Sequence, residues 1–252
     1  MNISVCMATY NGEQYVVEQI ASILEQLSSA DEVIVVDDCS TDDTVNTLKS
    51  LNDPRIKLYS NDRNRSHVYS FGRAISLAQN EIIFLSDQDD RWIKGRVTLM
   101  VKSLLDTGAM VVSTNSYFMD KDGNKITFKV DGVRSSSSFK NFKNIIDIFI
   151  GKVNYFGCAM AFRKRIVGLV LPMPTFVESH DLWIAMASNL IGLNIHLDDH
   201  TLFRRVHGNN ASIIKRDLLP KIWSRVIFLA SIAVLLYRIP PKYLSSSMNE
   251  QD

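Results

Sequence analysis

Cysteine is scarce in this 252-residue chain: Cys6, Cys39 and Cys158 lie far apart, with no paired spacing. That argues against a disulfide framework and a zinc site, and it fits a reducing compartment. An excess of one charge is also lacking, since 28 Lys and Arg against 27 Asp and Glu leave a net charge of +1. No global field for a polyanion follows, so nucleic acid is not expected as a partner. The opening residues, MNISVCMATYNG, have neither the basic start nor the long apolar stretch of a signal peptide. A cytoplasmic protein is expected. No internal repeat is found, and no apolar run reaches the ~20 residues that span a bilayer. VIFLASIAVLLY, between Arg225 and Arg238, is shorter and flanked by Lys221, Arg225, Arg238 and Lys242. Such a segment suits an interfacial helix, peripheral on the anionic inner-leaflet membrane surface, or a buried terminal helix or oligomer contact.

What the sequence does contain is an alternation of short apolar runs and helical patterns. Residues 3–8 form a buried strand ending at TYNG, followed by a helix with Val16, Ile20, Ile23, Leu24 and Leu27 on one face. EVIVVDD is a second strand, RIKLYSN a third and EIIFLSD a fourth, with helices between them. AMVVSTNSYFMD and NYFGCAMAFRK add strand character, and SHDLWIAMASNLIG reads as a helix. The polar VDGVRSSSSFKN is expected to be a mobile loop. The pattern predicts an α/β fold, a mainly parallel sheet flanked by helices, with ligands at the carboxyl ends of the strands.

Those ends carry the chemistry. In IIFLSDQDDRW an apolar strand runs directly into Asp87, Asp89 and Asp90, and carboxylates there are costly without a positive partner. Asp87 and Asp89 suit a hard cation such as Mg²⁺ or Mn²⁺, which prefers oxygen ligands and bridges diphosphates. A solvated acidic turn or a helix cap is the plain alternative. Asp37 and Asp38 close the second strand, where a carboxylate can accept hydrogen bonds from a base or ribose.

Taken together, SVCMATYNGEQYVVEQIASIL, DEVIVVDDCSTDDT, IIFLSDQDDRW, NYFGCAMAFRK, SHDLWIAM and RRVHGNN resemble the family 2 glycosyltransferases, from residue 3 to about residue 211. The SDQDD form is similar to a bacterial subgroup that includes many rhamnosyltransferases of surface-polysaccharide assembly. The resemblance implies a GT-A nucleotide-diphospho-sugar transferase fold over residues 1–217, with the nucleotide side at about 1–110 and the acceptor side at 111–217. By composition, residues 218–252 are expected to be a C-terminal helical segment, membrane-associated or packed on the domain.

The same resemblance implies roles. Thr9, Asn11, Glu13, Asp38 and Asp87 would line the donor nucleotide pocket, and Asp89 would be the principal metal ligand, with His207 approaching the metal or the diphosphate. Asp181 would be the catalytic base, although an aspartate there also suits a helix start. Arg205, His180 and Trp183 would stand on the phosphate or acceptor side; for Trp183, core packing is the alternative. The implied reaction is an inverting transfer from a dTDP- or UDP-sugar, dTDP-rhamnose being preferred, to a glycan or polyprenyl-diphosphate-linked acceptor. Arg65 and Ser66 replace a glycine common in relatives, and Arg204 and Val206 replace an aromatic and a glutamine. Rival readings are a nucleotidyltransferase, for which TYNGEQ lacks a Gly-rich basic loop, and a non-catalytic binding module, which would not need Asp89 and Asp181 together.

Overall fold

The computed structural model describes residues 1–207 and 218–240, side chains at 218–221 excepted. The end of the last motif, 208–211, the boundary expected at 217 and Lys242 lie outside the described residues. The expected strands form as β1 (Ile3–Thr9), β2 (Glu32–Asp37), β3 (Ile56–Ser60) and β4 (Ile82–Ser86), separated by α1 (Val16–Leu24), α2 (Thr44–Ser50) and α3 (His67–Leu77). A two-residue β5 (Arg91–Trp92) follows, then α4 (Arg96–Thr107), β6 (Val111–Met119) and β7 (Lys125–Ile126). The chain continues through α5 (Asn141–Ile150), β8 (Met160–Arg163), α6 (Val167–Val170), α7 (His180–Leu190), β9 (Asn194–Arg205) and α8 (Leu218–Arg238).

One sheet runs in the order β3-β2-β1-β4-β8-β6-β9-β5, with β7 on β6. β1 through β4 pair in parallel, as do β6 and β9, and β8 lies antiparallel between β4 and β6. Alternation along the strands splits the core. Cys6, Ile34, Val36, Ile83 and Leu85 face a layer containing Phe71, Trp183 and Leu235, whereas Val5, Met7, Val33, Val35 and Phe84 face Ile20, Ile23, Met100 and Leu104. β1, β2 and β4 are buried on both faces, which explains their unbroken apolar runs.

Two expectations need correction. The Ser-rich segment is fastened rather than mobile: Ser135 N donates to Asp198 Oδ1 at 3.1 Å, Ser135 Oγ binds the same carboxylate, and Ser138 Oγ accepts from His196 N at 2.9 Å. Its hydroxyls satisfy the irregular middle of β9, a partner that local composition does not disclose. Trp183 lies wholly within the core and donates from Nε1 to the Val170 carbonyl at 2.8 Å, so it lines no acceptor cleft.

The end of the sheet opposite the strand carboxyl termini is locked by a buried charge. Glu32 accepts from Lys57 Nζ at 2.6 Å, Ser4 Oγ at 2.5 Å and Gln79 N at 2.8 Å. Burial works to raise its pKa, but the hydrogen bonds from Lys57, Ser4 and Gln79 outweigh burial and leave it below 4.5. A depressed carboxylate pKa adds stability that is present above the unfolded value and lost as pH falls through the folded one. Glu32→Gln is therefore expected to cost about 1–3 kcal/mol at pH 7. In thermal melts the gap to wild type should narrow below pH ~4.5 and close once wild-type Glu32 is itself protonated.

Candidate active site

The carboxyl ends of β1, β2 and β4 meet through a dense set of loop hydrogen bonds. Asp37 accepts from Thr9 Oγ1 at 3.0 Å and from Ser40 N at 2.9 Å. Asn11, at φ 49°, accepts from Thr41 N at 2.8 Å through Oδ1, and its own N–H donates to Ser40 Oγ at 2.9 Å. Glu13 Oε2 accepts from Asp43 N at 2.8 Å. Asp38, also buried, accepts from Asn61 Nδ2 at 2.6 Å and Arg65 N at 2.9 Å. The structure thus gathers these residues at one end of the sheet, with one correction. The Thr9 hydroxyl is buried against Asp37 and shapes the loop rather than presenting a free group, whereas Glu13 is exposed, with Oε2 accepting from the start of α2.

Gln88 ties the acidic loop to the loop after β1. It accepts from Tyr10 N at 2.8 Å and donates to the Tyr10 carbonyl at 3.0 Å. A Cβ on Gly12 would lie 2.2 Å from Gln88 Oε1, so any larger residue here would displace the Gln88 amide from Tyr10.

The carboxylates beyond β4 cluster. Ligand atoms of Asp87, Asp90 and Cys158 lie within 4.8 Å of one another. Burial, reinforced by the charge of Asp89, pushes Asp87 up to about 6 and Asp90 well above the usual carboxylate range. Burial, with Asp90 and Asp87 adding to it, also keeps the Cys158 thiol protonated. Three features fit a hard divalent cation: converging oxygen donors, no thiolate, and a buried Asp90 Oδ2 without a hydrogen-bond partner among the described residues. Asp89 lies beside them, its Oδ2 2.7 Å from His207 Nε2, and the His207 ring stacks on Tyr15 at 5.4 Å between centroids.

Fixed cations also face the cluster, and the two neighbouring arginines of β9 are placed differently. Arg205 is buried and committed within the protein: Nη2 to Glu18 Oε2 at 2.5 Å, Nε to the Asp89 carbonyl at 2.9 Å and Nη1 to the Lys121 carbonyl at 3.0 Å. Its main-chain N–H donates to Asp90 Oδ1 at 3.0 Å. It anchors the acidic loop instead of meeting a phosphate. Arg204, the neighbour noted as a departure, lies over Phe156 at 4.2 Å. Burial works against its charge, but Cys158, Asp90, Asp87 and Asp181 together hold its pKa above the usual value. Arg96, not singled out in the sequence, is buried beneath the cluster, donating to the Cys158 carbonyl at 2.7 Å and lying over Trp92 at 4.7 Å.

Asp181 approaches from α7. Ser179 is the N-cap, and Asp181 Oδ1 accepts from Leu182 N at 2.8 Å and from the Ser179 hydroxyl, while Oδ2 accepts from Gly157 N at 3.3 Å. The carboxylate remains partly exposed. His180, which could orient its surroundings rather than act directly, lies inside the domain. It is buried, stacks on Phe71 at 4.0 Å and is pushed down to about 4 by burial, so it is neutral and out of reach of phosphate. A Cβ on Gly157 would lie 2.4 Å from His180 Nε2, so this histidine packs directly behind the backbone that meets Asp181.

A mainly parallel sheet that carries an acidic cluster, fixed arginines and a facing carboxylate at its strand ends is the architecture of a GT-A fold. The profile described as Glycosyl transferase family 2 matches residues 4–169, and the chain belongs to that family. It is similar to TuaG of Bacillus subtilis, assigned to teichuronic acid biosynthesis, with 25% identity over 88% of this chain and 85% of that protein. It is also similar to Escherichia coli WfaP, a UDP-Glc:alpha-D-GlcNAc-diphosphoundecaprenol beta-1,3-glucosyltransferase, with 26% identity over 84% and 80% of the two chains. A shorter match, 32% identical over 54% of this chain and 49% of the other, is to the dTDP-rhamnosyl transferase RfbG of Shigella flexneri. Among solved structures, S. aureus TarS 1-349 in complex with UDP-GlcNAc shares the fold at a TM-score of 0.64, with 17% identity over 94% of this chain and 72% of that one.

The Gly12 contact gives a direct test. Gly12→Ala is expected to destabilise the protein by about 1–3 kcal/mol, as overpacking does, and to weaken nucleotide binding. Gln88→Ala should partly relieve the clash, so a double-mutant cycle in chemical denaturation should return a coupling well away from zero. Strict additivity would show that the two residues do not constrain each other.

Proposed function

We propose that this chain is an inverting glycosyltransferase of bacterial surface-polysaccharide assembly. It takes a sugar from a nucleotide-diphosphate donor and passes it to a hydroxyl of a glycan carried on a polyprenyl diphosphate. The observation that carries this reading is the partly exposed Asp181 carboxylate at the start of α7, held by the Leu182 and Gly157 amides, Gly157 adjoining Cys158 of the acidic cluster. Family membership supports the reaction class, and the WfaP and RfbG names support a sugar nucleotide and a lipid-linked acceptor.

In the proposed step, Asp181 takes the proton of the acceptor hydroxyl as its oxygen attacks the anomeric carbon. The bond from that carbon to the diphosphate oxygen breaks, and the nucleoside diphosphate departs with the electron pair. With no enzyme nucleophile, a single in-line displacement inverts the centre, the logic of inverting glycosidases with the acceptor in place of water. Asp38 would meet the ribose or base, and Asp87 the ribose and sugar. Asp89, together with Asp87 and the unpartnered Asp90 Oδ2 of the cluster and with His207 on Asp89 Oδ2, would hold Mg²⁺ or Mn²⁺, which when bound would offset the charge gained by the departing diphosphate. Arg204 supplies a fixed positive charge near the same place. The donors to screen are dTDP-rhamnose, UDP-glucose and UDP-GlcNAc, and the protein would work at the inner face of the membrane.

Asp181→Asn keeps the size of the side chain and removes the base. Transfer from a radiolabelled donor should fall by about 10²–10⁴-fold, while donor affinity by calorimetry stays close to wild type. A wild-type rate would remove Asp181 from the role. Asp89→Ala should abolish the part of sugar-nucleotide binding that depends on added Mg²⁺ or Mn²⁺. If wild-type binding is the same in EDTA, the cation drops out of the scheme.

A further inference from the structure

Two helices far apart in sequence present one apolar surface to solvent. Along α8 the outward positions are Ile222, Val226, Leu229, Ala233 and Leu236, all exposed, with Trp223 and Tyr237 (92% exposed) at their flank. The opposite side of α8 buries Ser231, Leu235 and Ile239 in the domain. On α5, Phe142 (78% exposed), Ile146 and Ile150 recur every fourth residue and also face outward. The two stripes join, because Phe149 packs on Phe228 at 5.2 Å and Arg225 lies over Phe149 at 5.3 Å. Together they expose apolar area on the order of 1,000 Å², against roughly 300–600 Å² for the largest patch on a typical monomer.

The fringe of this surface is cationic. Lys140, Lys143 and Lys152 lie on or beside α5, and Arg225 and Arg238 lie on α8. Asp147, the acid within these two helices, is bound by Lys143. A second copy seated here by two-fold symmetry would set this basic fringe against itself, whereas an anionic lipid surface would neutralise it. Among the described residues no helix is long and apolar enough to cross a membrane, so the occupant would be a surface on which α8 lies flat.

We propose that α5 and α8 form a composite docking face for an anionic bilayer surface. The purpose of the face rests on the transferase reading, since α7, which carries Asp181, packs against both helices. Docking would therefore fix the orientation of the base toward an acceptor whose lipid is in the same bilayer. The contribution of α5 is the new element: it turns a single amphipathic helix into a broad face that also defines orientation.

The test is co-sedimentation of the full-length protein with phosphatidylglycerol-containing vesicles and with pure phosphatidylcholine vesicles. Wild type should bind the anionic vesicles, lose binding as salt is raised and bind the neutral ones weakly. The pair Phe142→Ser and Ile146→Ser, and separately Leu229→Ser and Leu236→Ser, should each lower the partition coefficient by about tenfold or more. Because these side chains are exposed, thermal melts and donor binding should stay unchanged. The proposal is overturned if wild type remains in the supernatant or if the α5 pair binds as wild type does. It is also overturned if ultracentrifugation finds a dimer in buffer that the variants dissolve. Donor hydrolysis without vesicles reports on the transferase reading alone, so the two failures are distinguishable.

Discussion

The site depends on keeping like charges together. Asp87, Asp89 and Asp90 leave one strand within four residues, and their mutual repulsion would open the loop if nothing held it. The restraint is mechanical first: β5 pairs with β9 at Arg91–Phe203 and Trp92–Leu202, and Arg205 clamps both the Asp89 carbonyl and the Asp90 carboxylate. It is electrostatic second. Burial and the neighbouring Asp89 charge raise Asp87 and Asp90, and Arg204 beside the cluster offsets this only in part, while Arg96 lies buried beneath.

Topology explains why distant segments reach this point. The antiparallel β8 sits next to β4 with Ile82 opposite Arg163 and Phe84 opposite Ala161. Its beginning therefore lies at the end of β4, and this brings Gly157 and Cys158 to Asp181 and Asp87. A parallel strand there would have brought its far end instead. β9 then runs parallel to β6 and ends at the same edge, delivering Arg204, Arg205 and His207.

The first four strands, their helices and the acidic tip were legible because apolar runs and their abrupt polar ends are local signals. Which arginine meets the cluster was not legible. Neighbouring residues on a strand point to opposite faces, so the choice between Arg204 and Arg205 turns on the parity of β9, and parity is set by pairing with β6 and β5. Trp183 was ambiguous for a related reason: its spacing with Met186, Ala187 and Leu190 suits a helix face without saying whether that face meets a cleft or the core. Arg96 and Gln88 gave no sequence signal, since each acts through a partner many residues away. The Ser-rich segment was misread because serine is polar in composition but serves here as a hydrogen-bond partner to an irregular strand.

The placement of α7 ties these elements together. Its N-terminus favours negative charge, and the Leu182 and Gly157 amides bind Asp181, which lets a fourth carboxylate stand near three others. The body of the same helix is buried between the sheet and the α5 and α8 layer, with Trp183 locked to Val170 and Arg238 over its ring at 5.6 Å. The end that carries the carboxylate is thus continuous with the packed core. Any force applied at the outer helices is transmitted to it through close-packed side chains rather than through a loop. The buried, neutral His180 belongs to the same design: it fills the space behind Gly157, where a charged or smaller side chain would loosen the backbone that positions Asp181.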